Sequence, residues 1–336
     1  MRAGPVAFLL GMLTMNTDTM TEHQWWWPVA LDDALGADPL PVRLFDQALV
    51  LWRDGQGAPV LMTDRCPHRG AQLSLGQVQD GVLQCPYHGW RFNAQGLCVG
   101  IPAQPSFVPP ATHTACRHAA RSEHGLIWAS LGDAVHEPPA LTGLPSRRLI
   151  YGPFDVHTSA PRAVENFLDT AHFAYVHRGW LGEASHPEVP PYGVTTTADG
   201  RPVIEHYKAW QPRASASSPS GDWVNYRYEV LSPYSALLSK RAEGGGPQDS
   251  YVAWACPTTE ESCRLWFAQY TSDEQSSDEA LRDFQVTIFS QDQPILESQQ
   301  PRRLPLSGGE LMGSADRLSA AYRRYLQRCG ITYGVC

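Results

Sequence analysis

Two short, mixed cysteine–histidine pairs constrain this chain more than anything else in it. The first reads Cys66-Pro67-His68-Arg69-Gly70 and the second Cys85-Pro86-Tyr87-His88-Gly89-Trp90, with Cys85 following directly on residues 69–84. A proline after each cysteine fixes φ and suits a tight loop around a metal. A glycine follows each histidine, where a bulkier residue would obstruct the turn. Two chemistries use two cysteines and two histidines. One is a four-coordinate zinc. The other is a [2Fe–2S] centre with both cysteines on one iron and both histidines on the other. A zinc finger places its cysteines in one pair and its histidines in the other. Mixed pairs suit the two-iron rhomb, because each loop then touches both irons.

On these residues the chain resembles the Rieske family. Respiratory-complex members carry two further cysteines that form a disulfide beside the cluster. Ala71 and Tyr87 stand at those positions here, so the similarity is to the oxygenase and ferredoxin branch. That branch implies a more reducing cluster, with fewer hydrogen bonds to its sulfurs. Cys98, Cys116, Cys256, Cys263, Cys329 and Cys336 show no ligand spacing and read as ordinary thiols of a reducing cytoplasm.

The chain continues far beyond what a Rieske ferredoxin needs. Residues 162–182, RAVENFLDTAHFAYVHRGWLG, hold Asn166, Asp169, His172 and His177. The first three recur at i, i+3 and i+6, near one face of a helix. His177 lies about 140° from His172 on an ideal helix. A helix end, widening or kink between Phe173 and Val176 is therefore expected if both histidines meet one metal. Non-haem iron(II) oxygenases add a carboxylate to two histidines and leave positions open for oxygen. Downstream, Leu281, Phe284, Ile288 and Phe289 form a helical apolar stripe that Asp292 continues. A carboxylate there is costly unless it is paired with a metal. Pro294 should kink this helix, and Glu297 is the competing carboxylate.

The stretch 162–182 is similar, in order and spacing, to the mononuclear-iron motif of Rieske non-haem iron oxygenases. The resemblance implies iron ligands His172, His177 and Asp292, and cluster ligands Cys66, His68, Cys85 and His88. It implies that Asp169 bridges subunits, bonding His172 and His88 of a neighbouring chain, and that Asn166 lies near the iron. Gln291 stands where the family commonly has an acidic residue.

Composition supports an enzyme of about two domains. The 336 residues are 43% hydrophobic and 18% charged, with 26 basic and 34 acidic side chains and a net charge of −8. That balance lacks a basic footprint for nucleic acid. No 18-residue apolar run exists to cross a membrane. Residues 4–13 are apolar behind Arg2, but no signal-type cleavage site follows. Residues 1–22 read as a disordered or non-native extension, with Met15 or Met20 as the start. Residues 23–135 read as an all-β Rieske domain and 136–336 as the mononuclear-iron domain. Strands are expected at 201–210, 223–231, 250–256 and 264–272, a Pro/Gly-rich linker from 136 to 153, and a last helix over 310–328 with a solvated arginine face. The resemblance implies an α+β fold, with a helix-grip second domain of antiparallel sheet wrapped by helices.

The function implied is that of a terminal oxygenase component with one Rieske cluster and one mononuclear iron(II) per chain. No dinucleotide fingerprint is present, so electrons should come from a separate NAD(P)H-dependent flavin/[2Fe–2S] reductase or a ferredoxin. Division of cluster and iron between chains implies a head-to-tail homotrimer in the cytoplasm. The chain is most similar to the monooxygenase and demethylase branch of vanillate O-demethylase, dicamba monooxygenase and caffeine N-demethylase. There, oxygen inserted into a C–H bond hydroxylates a small aromatic or heterocyclic substrate, or, at an O- or N-methyl group, gives a hemiacetal or hemiaminal that sheds formaldehyde. A ring dioxygenase forming cis-dihydrodiols is the alternative, and a non-catalytic Rieske electron carrier the alternative of another class. The pocket is expected within residues 185–290.

Overall fold

In the computed structural model, which describes residues 20–216 and 220–336, the first ten strands form two antiparallel sheets. β1 (Trp27–Leu31), β2 (Leu40–Leu44), β3 (Gln47–Arg53), β4 (Pro59–Thr63), β9 (Arg117–Glu123) and β10 (Leu126–Ser130) make a six-stranded sheet, in the order β1-β10-β9-β4-β3-β2. Between β4 and β9 the chain leaves to build a four-stranded meander of β5 (Gln77–Gln79), β6 (Val82–Gln84), β7 (Arg91–Phe92) and β8 (Cys98–Gly100). β3 is buried on both faces, which explains its unbroken run Leu49-Val50-Leu51-Trp52. Leu49 and Leu51 enter the main core, while Val50 and Trp52 enter a second core with Met62, Leu83, Phe92 and the two motif cysteines. The meander is thus anchored through the cysteine side of its loops.

The second half is a seven-stranded antiparallel sheet, ordered β11-β17-β16-β15-β14-β13-β12. Its strands are β11 (Arg147–Val156), β12 (Thr195–Thr196), β13 (Pro202–Gln211), β14 (Asp222–Ser232), β15 (Ser235–Ala242), β16 (Asp249–Thr259) and β17 (Ser262–Thr271). α1 (Ala160–Leu168) and the one-turn α2 (Phe173–Val176) lie between β11 and β12; α3 (Asp278–Ser298) and α4 (Arg317–Arg328) follow β17. α1 packs on β16, α3 on β11 and α4 on β13. The α+β fold with an antiparallel, helix-covered second domain is as expected. One core runs through both halves: Trp128 of β10 meets Trp254 of β16 edge-on, with ring centroids 6.0 Å apart.

Several details differ from expectation. Residues 1–19 of the expected extension lie outside the described residues, but its end is structured. Thr21–Gln24 is a 3-10 turn, and fully buried Glu22 accepts backbone N–H groups of Thr332 (2.6 Å) and Tyr333 (2.7 Å). Part of the expected linker is β11, whose register shifts between Tyr151 and Phe154 around Gly152-Pro153. The bulge absorbs the two residues that break a strand pattern. β15 was not expected. α3 runs helical through Pro294. The last helix starts at Arg317, after a 3-10 turn Ser314–Asp316, rather than at Glu310. Its arginine face is not wholly solvated: Arg323 is buried and doubly bonded to Glu165 of α1 at 2.6 and 2.7 Å.

Candidate metal centres

The two cysteine–histidine loops share one backbone design. In each, the cysteine N–H donates to the carbonyl five residues on: Cys66 to Ala71 and Cys85 to Trp90, both at 2.8 Å. In each, the glycine four residues on donates back to the cysteine carbonyl, Gly70 at 2.8 Å and Gly89 at 3.1 Å. Both glycines have positive φ, +74° and +70°, which favours glycine there. A Cβ on Gly89 would stand 2.9 Å from Pro102. The first loop follows β4 and the second joins β6 to β7. Cys66 and Cys85 are each 2% exposed. The His68 ring stacks on Trp90 at 4.5 Å and lies 4.6 Å from the exposed His88 ring. The cysteines therefore sit in the core and the histidine rings nearer the surface, with His68 Nδ1 itself buried and without a hydrogen-bond partner.

This donor set fits a [2Fe–2S] cluster better than one zinc. Among the described residues only one group brings three such donor atoms within 4.8 Å of one another, and these four residues are not in it. Burial first, and then the adjacent Cys85 thiol, push the Cys66 thiol up to about 11. Neighbouring buried thiolates need a cation.

The group that does converge is His172, His177 and Asp292. α1 ends at Leu168, and Asp169 turns extended with ψ 131°. Its carboxylate accepts the Ala171 N–H at 2.7 Å, an Asx turn that competes with the helix. The chain re-enters helix for the single turn Phe173–Val176, flanked by His172 and His177. The one-turn helix ends at Val176, within the interval expected, and a further break lies before His172, because Asp169 caps its own turn.

The two Nε2 atoms stand 3.1 Å apart, and 3.5 Å (His172) and 3.3 Å (His177) from Asp292 Oδ1. The other ring nitrogen of each histidine faces an acceptor. His177 Nδ1–H donates to Gln291 Oε1 at 2.9 Å, and His172 Nδ1 lies 3.3 Å from Asp169 Oδ2. With both Nδ1 atoms protonated, two imidazole lone pairs and a carboxylate oxygen converge. That repels unless a cation sits between them. Cis donors around an ion at about 2.1 Å stand about 3.0 Å apart, so the spacing suits one face of a metal site. Burial opposes charge on both Asp169 and His172, yet each overcomes it for the other. Asp169 is held below the usual carboxylate value by His172 and the Ala171 N–H, and His172 is raised by Asp169 and Asp292.

Asn166 Nδ2 lies 3.4 Å from Asp292 Oδ1. Glu297, the competitor, accepts the His157 N–H at 3.1 Å and a Gln293 amide bond at 2.9 Å instead. Gln291 was missed as a site residue. Its adjacency to Asp292 was visible, but on a helix neighbours diverge by about 100°, and only the docked His177 reveals its role. Asp292, 7% exposed, lines a cavity together with His172, His177, Phe154, Phe167, Phe173, Phe267 and Phe289. The cavity lining from Tyr226 to Phe289 falls in the 185–290 segment expected, and β11 and α1 contribute from outside it.

Residues 25–115 match the Rieske [2Fe-2S] domain family, and residues 156–330 the vanillate O-demethylase oxygenase C-terminal domain family. The methylxanthine N1-demethylase NdmA of Pseudomonas putida is 31% identical, over 93% of this chain and 90% of its own. The oxygenase component of dicamba O-demethylase from Stenotrophomonas maltophilia is 27% identical, over 83% and 88%. The solved structure of Pseudomonas putida CBB5 NdmA with caffeine superposes with a TM-score of 0.83 at 28% identity, covering 91% of this chain and 90% of that one. No helix among the described residues is long and apolar enough to cross a membrane. The chain belongs to the Rieske non-haem iron oxygenases, as an oxygenase component with one Rieske [2Fe–2S] cluster and one mononuclear iron.

Proposed function

We propose that this oxygenase component removes an O- or N-methyl group from a small aromatic or heterocyclic molecule, using electrons from a separate reductase or ferredoxin. The convergence of His172, His177 and Asp292 on a phenylalanine-walled cavity carries the reading. In it, Cys66, His68, Cys85 and His88 hold the cluster, and His172, His177 and Asp292 hold the iron. The domains divide between residues 135 and 136. When bound, these groups supply electron transfer and O₂ reduction. The net reaction consumes R–X–CH₃, O₂, two electrons and two protons, and yields R–XH, formaldehyde and water.

The protein's own part is positioning and exclusion. Gln291 and Asp169 fix the ring orientation and proton position of His177 and His172. The Asn166 amide steadies Asp292. The aromatic walls exclude water and hold a flat ring against the histidines. Asp169 also lines an outer groove with Arg162, Val176 and Ile295, which supports its role as the bridge to His88 of a neighbouring chain. The reading includes a head-to-tail homotrimer, an NAD(P)H-dependent flavin/[2Fe–2S] reductase as donor, and a cytoplasmic location.

The test is turnover of methoxybenzoates and N-methylxanthines with a surrogate reductase under ¹⁸O₂. Formaldehyde release with a single labelled oxygen is expected. A cis-diol carrying two labelled oxygens would replace the reading with the dioxygenase. An electron carrier would consume no oxygen with any substrate.

A further inference from the structure

The cavity beside the iron site has one charged group that the reaction above does not use. Lys240 of β15 is 6% exposed and lines the same cavity as His172, His177 and Asp292. It sits in a cross-strand row with Tyr226 of β14 and Asp249 of β16. Its Nζ lies 3.5 Å from Gln211 Oε1 and 5.6 Å from the centroid of the Tyr251 ring. Among the described residues no carboxylate oxygen comes within 4.0 Å of that ammonium. Asp249 is turned to Gln269, whose Nε2 donates to it at 3.2 Å. Gln211 in turn donates to the Tyr226 hydroxyl.

A buried ammonium with one long hydrogen bond and no ion pair is expensive. Burial lowers the Lys240 amine to about 8, and Asp249 offsets only part of that. A structural lysine would be paired. Beyond the iron-site residues, Asn166 and Gln285, the rest of the wall is aromatic and aliphatic, and none of these polar groups is hydrogen-bonded to Lys240. The iron-site residues come from the ends of α2 and from α3, and Lys240 from the sheet. A flat ring held between them would present one edge to each.

We propose that Lys240 selects the substrate: its ammonium binds an anionic oxygen on the aromatic ring, so this chain prefers ring carboxylates over neutral rings. A neutral carbonyl would accept a hydrogen bond but leave the charge uncompensated in a low-dielectric cavity. Gln211 and Tyr226 position the ammonium by holding its neighbouring amide. The proposal rests on the cavity being the substrate site, as in the function above.

The test is equilibrium binding by calorimetry, under anaerobic conditions, on the holoenzyme. The probes are ring-substituted methoxybenzoates, each against its own benzamide. Wild type should bind the carboxylates tighter than the amides by on the order of tenfold or more, as a charge-assisted bond warrants. Lys240→Met should lose that preference while keeping its affinity for the amides, which also shows that the cavity is intact. Lys240→Arg, which retains the cation, should keep a preference for the carboxylates. Equal binding of carboxylate and amide by wild type would overturn the proposal. So would an unchanged preference in Lys240→Met, or no carboxylate binding at all. Because no turnover is read, absent formaldehyde in the earlier assay would sink the demethylation reading without deciding this one.

Discussion

The two metal sites of this chain are built in opposite ways. The cluster donors fall between Cys66 and His88 on two loops with the same backbone hydrogen bonds, one leading from β4 into the small sheet and the other joining β6 to β7 within it. The iron donors come from either side of α2 and from α3, more than a hundred residues later, and meet only when those helices dock. The first site is local chain geometry; the second is tertiary structure. A local site should tolerate damage to the helices, whereas the assembled site should not.

Loss of a donor breaks the comparison most severely. His172→Ala should abolish formaldehyde release and the mononuclear iron, while the cluster's visible absorption and sulfide content stay at wild-type level. Loss of both metals together would show that the sites are not independent.

The helix anchor is next. Arg323 of α4 holds Glu165 of α1 through two short bonds and reaches Glu310 at 2.5 Å, all in a largely buried network. Arg323→Met strands Glu165 one residue from Asn166. It should cost about 3–5 kcal/mol in denaturant unfolding and lower iron occupancy, with the cluster spectrum unchanged until the global transition.

The residues behind the ligands should act more mildly. Asp169→Asn should retain both metals yet slow reoxidation of the cluster in single turnover by about 10–100-fold. An unchanged rate would remove Asp169 from the electron path. Gln291→Ala removes the acceptor of His177 Nδ1 and should weaken iron binding by about tenfold, the low end of that range, measured by chelator competition.

The smallest effect is on stability against pH. Burial depresses the folded-state value of Lys240 to about 8, so above that pH the unfolded chain binds more protons at this site. Stability should therefore rise with pH between about 8 and the ordinary lysine value near 10.5. Tyr226 and Tyr251, which share the cavity wall, are held well above the usual phenol value of 10.0 by burial, so their own contribution falls as pH nears 10 and the rise from Lys240 is read below that pH. Lys240→Met should lose this slope relative to wild type, as read by urea midpoints.

The same contrast explains what could be read in advance. The cluster loops were legible because spacing alone carries a local site, down to the glycines at positive φ. The iron triad was legible only with help from the family pattern, since no spacing relates Asp292 to His172. The helix end at Val176 was legible, but the break before His172 was not, because periodicity does not show that Asp169 caps its own turn at Ala171. β11 was hidden in the expected linker by Gly152-Pro153, which the sheet accommodates as a bulge. Gln291, Arg323 and Lys240 were illegible for one reason. Each is a polar residue whose meaning depends on a partner, or on the lack of one, across the fold.

The central claim is that one chain holds both sites, and metal stoichiometry tests it most directly. Iron and acid-labile sulfide would be measured on anaerobically purified protein, with EPR after dithionite. About three irons and two sulfides per chain, with an EPR signal from the reduced cluster, are expected. Two irons and two sulfides, unchanged by added iron(II) and equal in His172→Ala, would contradict the account and leave an electron carrier.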